Sequence, residues 1–216
     1  MKTYLGIAVV AMLSVPVSAA ATTFTFGPGA NSETYTDTVD GITLSATAGL
    51  YSGDTITNLD ADGLFFARQL SFDSDGIGVT GDRLAIDGGD IDGTFANDLL
   101  TFDFGQVVDF DTVEFSSFDS DDDFDLFVDG AFIGAGEFNI AAENPYDLSG
   151  LSGTSISFGA DGNAGLFRSG DSFRIASITV SDGSGATGPA PVRLPAGALL
   201  LLSGLGAGLV LRKRKR

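Results

Sequence analysis

The chain has 216 residues, with 29 acidic against 11 basic side chains and a formal net charge of −18. It contains no histidine and no cysteine, which excludes a Ser-His-Asp triad, a Cys-His pair, a histidine-containing zinc site and disulfide staples. Chemistry is thereby narrowed to paired carboxylates or a metal held by oxygen ligands.

The chain opens like a secretory signal. Met1 and Lys2 give a positive start, residues 5–15 an apolar stretch, and Ser18, Ala19 and Ala20 a small-residue cleavage site. The apolar stretch is too short for a comfortable spanning helix, so residues 1–20 read as a signal peptide removed after Ala20 or Ala21. Residues 21–195, the part expected outside the cytoplasm, then hold all 29 acids and five arginines (Arg68, Arg83, Arg168, Arg174 and Arg193) with no lysine, a balance of −24. Such a charge repels nucleic acid and anionic headgroups, and no nucleic-acid partner is expected. It suits a saline or cation-rich exterior, and equally Ca²⁺, which takes carboxylate and carbonyl oxygens.

Residues 21–181 read as β throughout. Residues 22–26 alternate Thr and Phe. In 42–48, Ile42, Leu44 and Ala46 point one way; in 99–104, Leu100, Phe102 and Phe104 share a face opposite Thr101 and Asp103. Residues 124–128 and 131–134 flank Asp129-Gly130, a strong hairpin signal. Residues 155–158 and 173–180 complete the series, and the apolar phase slips between Ile175 and Ile178, as a β-bulge at Ala176-Ser177 would cause. No window shows capped helical periodicity. The expected fold is therefore an all-β antiparallel sandwich, jelly-roll-like in form, with a core drawn from 18 phenylalanines and no tryptophan. Residues 182–191, rich in Gly, Ser, Ala and Pro, read as a linker.

Two acidic stretches are candidate cation sites. In residues 118–130, Asp119, Asp121 and Asp123 follow the opening spacing of an EF-hand loop. Phe124 then stands where that loop needs Gly, and Gly130 where it needs a bidentate Glu. A looser Ca²⁺ site on Asp119, Asp121 and Asp122 is one reading. The other is a solvated turn entering a strand whose Asp123 and Asp125 face water. In residues 82–98, Asp87, Asp90 and Asp92 sit among Gly88, Gly89 and Gly93, which leave backbone carbonyls free to turn inward; cation binding and plain Gly/Asp turns both fit. With 25 aspartates and four glutamates, some carboxyl pair meets glycosidase spacing by chance, so a carboxylate-dependent hydrolase has no specific support. Tyr35, Tyr51 and Tyr146, near expected loops, are the aromatic residues through which a carbohydrate-binding module would stack on sugar.

The end of the chain is its most specific stretch. Val192, Arg193, Leu194, Pro195 and Ala196 lead into an uncharged apolar run, and five basic residues, 212–216, close the sequence. As a helix, 194–211 spans roughly 27 Å against a hydrocarbon core of about 30 Å. The basic end marks the cytoplasmic side. The segment 192–216 resembles the PEP-CTERM type of sorting signal in its VPLPA-CTERM variant, on Val192, Leu194, Pro195, Ala196, the helix and the basic terminus; Arg193 stands where that family has Pro. The resemblance implies recognition by an exosortase-type enzyme, an inner-membrane intermediate with its C-terminus cytoplasmic, and release to the cell surface or extracellular matrix. An ordinary single-pass anchor is the alternative. Gly76-Ile77-Gly78-Val79, Asp90-Ile91-Asp92 and Val128-Asp129-Gly130 also resemble, in order, segments of proteins carrying such signals. The chain thus reads as a non-enzymatic surface or matrix protein needing no cofactor, with Ca²⁺ as a bridge to anionic polysaccharide.

Overall fold

A computed structural model describes residues 20–58, 68–81, 88–93, 97–134, 138–162 and 170–183. All belong to the unit Ala19–Ser184. The signal segment 1–19, Asp87, the sorting motif Val192, Leu194, Pro195 and Ala196, and the apolar run after it lie outside them.

Alternation of apolar with small polar side chains makes the first strands. β1 (Ala21–Thr25) leads into β2 (Thr34–Val39), β3 (Ile42–Ser52) and β4 (Thr55–Asn58). β5 (Arg68–Asp73) and β6 (Gly76–Gly81) form a hairpin, and β7 (Ile91–Asp92) is a two-residue strand. β8 (Asp98–Ser116) follows, then β9 (Asp123–Val128), β10 (Ala131–Phe132) and β11 (Phe138–Asn139). β12 (Tyr146–Gly159) and β13 (Ser172–Asp182) finish the unit. Every registered pair is antiparallel.

The 19-residue β8 joins two layers. Its first half, 98–103, lies between β3 and the end of β12, and β12 continues the layer to β9 and β10. Gly105 then bends the strand at φ 63°, its N–H donating to Asp103 Oδ1 at 2.7 Å. The second half, 108–116, lies between the start of β12 and β13, which also carries β1 and β6. A bulge lets Asp111 interrupt the alternation, so the buried set passes from Val108 and Phe110 to Val113 and Phe115.

The inner faces meet through phenylalanine. Phe104 of the first layer packs on Phe24 and Phe110, with centroids 6.1 and 6.0 Å apart. Phe115 contacts Phe124, Phe158 and Phe173 at 4.8, 5.8 and 5.3 Å. Each buried ring contributes about 1.5–3 kcal/mol of burial free energy, and edge-to-face pairs add about 0.5–1.5. The result is all-β, antiparallel and sandwich-like. A smaller cluster of Tyr51, Leu99 and Phe127 forms apart from this core.

The predicted bulge is present, as a register shift between Ile175 and Ser177. So is the hairpin: Asp129 and Gly130 take φ 48° and 76° between β9 and β10. Other expectations need correction. Tyr35, Tyr51 and Tyr146 lie within strands, and Tyr51 is buried. β13 runs through Asp182, which pairs with Val108. Among the described residues the helical content is one 3-10 turn, Ile140–Ala142, and no helix is long and apolar enough to cross a membrane.

Candidate functional site

The β8–β9 turn is built around Asp122. Its Oδ2 accepts the Asp119 N–H, closing the turn, while its Oδ1 accepts the Ser172 N–H at 3.1 Å. The Asp122 carbonyl accepts from Ile140 N–H at 3.1 Å. Asp122 is thus a buried staple between the turn and the start of β13. Burial raises its carboxyl above the usual range, outweighing the bonds from Asp119 and Ser172 that favour the charged form.

Asp171 works from the other side. Its Oδ1 accepts the Asp123 N–H at 3.0 Å, and its own N–H donates to the Asp161 carbonyl at 3.2 Å. Between these segments opens a cleft of about 690 Å³, walled by Asp119, Asp121, Asp122, Asp123, Asp161 and Asp171. Three of these residues were legible as a group. Asp161 and Asp171 lie roughly forty and fifty positions further on, and only the antiparallel return of β12 and β13 brings them there. No local motif announces that meeting.

Asp90 goes elsewhere. Arg174, buried on β13, donates from Nε to Asp90 Oδ1 at 2.6 Å and reaches Asp73 Oδ2 from Nη2 at 3.1 Å. It also donates to the carbonyls of Gly88 at 3.2 Å and Gly76 at 3.4 Å. The glycines of this segment do turn a carbonyl inward, and the cation that meets it is a guanidinium of the same chain. Gly89, at φ 77°, is required: a Cβ there would stand 2.4 Å from Ser71 Oγ. Asp92, in β7, pairs with Ser172 beside this group. The signal for Arg174 was present in the sequence, since a lone arginine between Phe173 and Ile175 in an apolar strand needs a buried acid.

Asp125 does not face open water. It is half-buried and accepts the Tyr51 hydroxyl at 2.7 Å; burial raises its carboxyl, against the lowering effect of that bond. Tyr51 is raised in turn, by burial first and then by Asp125. Asp123 is half-buried as well, with its backbone tied to Asp171.

Ca²⁺ takes six to eight oxygens at about 2.3–2.6 Å. Among the described residues, no three acidic side chains converge to hold a metal ion. Asp122 spends both carboxylate oxygens on backbone N–H groups, and Asp90 is matched by Arg174. The cleft gathers six aspartates along its walls. No family model, curated protein or solved structure matches this chain.

Proposed function

We propose that this is an exported protein of the cell surface or extracellular matrix, without a catalytic role, processed through its C-terminal tail by an exosortase-type enzyme. One observation carries the reading: a signal-like start and a tail of motif, apolar run and basic end flank one acidic β domain. We take the sandwich as jelly-roll-like because sheet neighbours are remote in sequence, with β3 and β12 beside β8 and β1 beside β13. The excess of acid keeps the domain hydrated and apart from its copies. It also repels anionic polysaccharide, so contact with one needs a divalent bridge. Ca²⁺ enters in that role, shared between surface carboxylates and the polymer, and the cleft is where carboxylates are densest.

Fractionation of native cells tests the reading. The full chain should give a membrane intermediate and a shorter surface or matrix form. A chain ending at Pro191 should yield only soluble exported protein. Retention of both in the cytosol would refute export; an uncut membrane form alone would refute processing.

A further inference from the structure

A second concavity, distinct from the acidic cleft, lies between the β1–β2 loop and strands β2 and β5. It is a groove of about 400 Å³, within the range of small-ligand sites, about 300–1,000 Å³. Phe26 forms its floor and is locked to the core by stacking on Phe102, with centroids 5.3 Å apart and planes 6° from parallel. Tyr35 and Phe72 form the walls, 5.3 Å apart and tilted by 49°. Both are half-buried, so each keeps part of a ring open to the groove. Residues 27–30, Gly-Pro-Gly-Ala, make the rim. Gly29 lies so close that a Cβ on it would stand 3.3 Å from the Phe72 Cβ.

The groove is held in shape before any ligand arrives. Ser32 exchanges two backbone hydrogen bonds with Leu70, at 3.1 and 2.7 Å, tying the rim loop to β5. The Ser32 hydroxyl donates to the Thr34 carbonyl at 2.6 Å, fixing the entry to β2. Preorganisation of this kind cuts the ordering cost of binding. Tyr35 adds a polar handle, since Asp37 lies next along the same face of β2 and interacts with the Tyr35 hydroxyl.

Charge decides among ligands. Residues 21–195, with 29 acids, five arginines and no lysine, repel uronate chains, phosphate esters and anionic lipid surfaces. The groove's lining holds no charged side chain to attract a basic peptide. Two rigid rings beside a hydroxyl–carboxylate pair suit a neutral ring whose one face is C–H and whose edge is hydroxyl. Of the three body tyrosines, Tyr35 is the one that lines this groove. Tyr51 is buried against Phe127, and Tyr146 is wedged between Phe124 and Phe138.

We infer that this groove is a saccharide-binding subsite taking a neutral hexopyranose unit of a polysaccharide, its C–H face against Tyr35 and Phe72. The inference is independent of the tail and of Ca²⁺. It is tested by calorimetric titration of the full chain, held in a zwitterionic detergent without sugar groups. The probes are cellohexaose, laminarihexaose and chitohexaose, with hexagalacturonate plus Ca²⁺ as the charged arm. At least one neutral hexaose should bind, and Tyr35→Ala should weaken it at least roughly tenfold. Because Tyr35→Ala also loosens packing, Ala30→Arg is the second variant. It fills the groove from an exposed rim position and should abolish binding with unchanged melting, while Tyr146→Phe binds as the parent does. The inference is overturned if no neutral hexaose binds or if Ala30→Arg leaves binding intact. Response to hexagalacturonate alone, or a groove that proves to hold a second copy of the chain, overturns it too.

Discussion

Removing the cation at Arg174 is the sharpest test of how this acidic domain holds together. In Arg174→Met the strand keeps an unbranched apolar side chain of similar length, while Asp90 loses its Nε partner at 2.6 Å and Gly88 its donor at 3.2 Å. Asp73 is 44% exposed, so its bond to Arg174 contributes little, about 0–1 kcal/mol. The main effect comes from Asp90, 28% exposed, which loses its 2.6 Å cation partner. Breaking a buried pair on one side costs about 3–5 kcal/mol. For a unit of this size, that lowers Tm by roughly 6–20 °C. Removing the stranded charge as well, in Arg174→Met with Asp90→Asn, should recover part of the loss. The assay is urea unfolding of Ala19–Ser184 followed by tyrosine emission, with the double-variant cycle giving the coupling. A single-variant loss under about 1 kcal/mol, or a double variant no better than the single, would refute the assignment of Arg174 as an internal counter-ion of the domain.

The remaining predictions concern protons, packing and metal. Asp125 has a raised folded-state carboxyl, so its contribution favours folding below the ordinary carboxylate range and is lost as pH rises through the folded value. Asp125→Asn keeps an acceptor for Tyr51 and should leave the domain as stable or more stable at pH 7, with the gain gone at pH 3 in parallel melts. Asp129 has the opposite sign. Burial acts to raise it, but bonds from the Ser155 and Thr154 N–H groups and the Thr154 hydroxyl hold it low, so its stabilisation is present at neutral pH and lost as pH falls through the folded value. Asp129→Asn should therefore destabilise at pH 7 and converge on the parent in acid. Gly76→Ala places a Cβ 2.2 Å from the Ile175 carbonyl at φ 136°, and should cost at least about 2 kcal/mol in denaturant unfolding. Ca²⁺ should raise Tm no more than Mg²⁺ at equal ionic strength; a Ca²⁺-specific rise above roughly 5 °C would reveal a chelate instead of a diffuse acidic surface.

Legibility in the sequence followed the range of the interactions. Alternation over Ile42, Leu44 and Ala46, or Leu100, Phe102 and Phe104, is local, and those faces are buried as the pattern demands. The Asp129-Gly130 turn and the bulge before Ser177 are local too. β2, with its Thr-Tyr-Thr-Asp-Thr-Val run, carries little signal because its inward side chains are only half-buried and its contrast is weak. β6 was hidden by its glycines. The Gly78 position is needed because a Cβ there would stand 2.2 Å from the Gly89 carbonyl, so close backbone packing reads in sequence as a turn. The acidic residues were hardest. Asp119 and Asp121 line the cleft, Asp122 closes its turn, and Asp90 neutralises Arg174, yet all four look alike in a chain of 25 aspartates. What separates them is which backbone N–H or guanidinium arrives from strands fifty or more positions away.

The central claim, that this acidic sandwich is exported and trimmed at both ends, is met most directly by the intact mass of the protein recovered from its native cells and medium. A mass beginning at Ala21 or Thr22 and ending near residues 192–196 is the predicted result. A full-length mass from the cytosol, with Met1 and Arg216 both present, would contradict it.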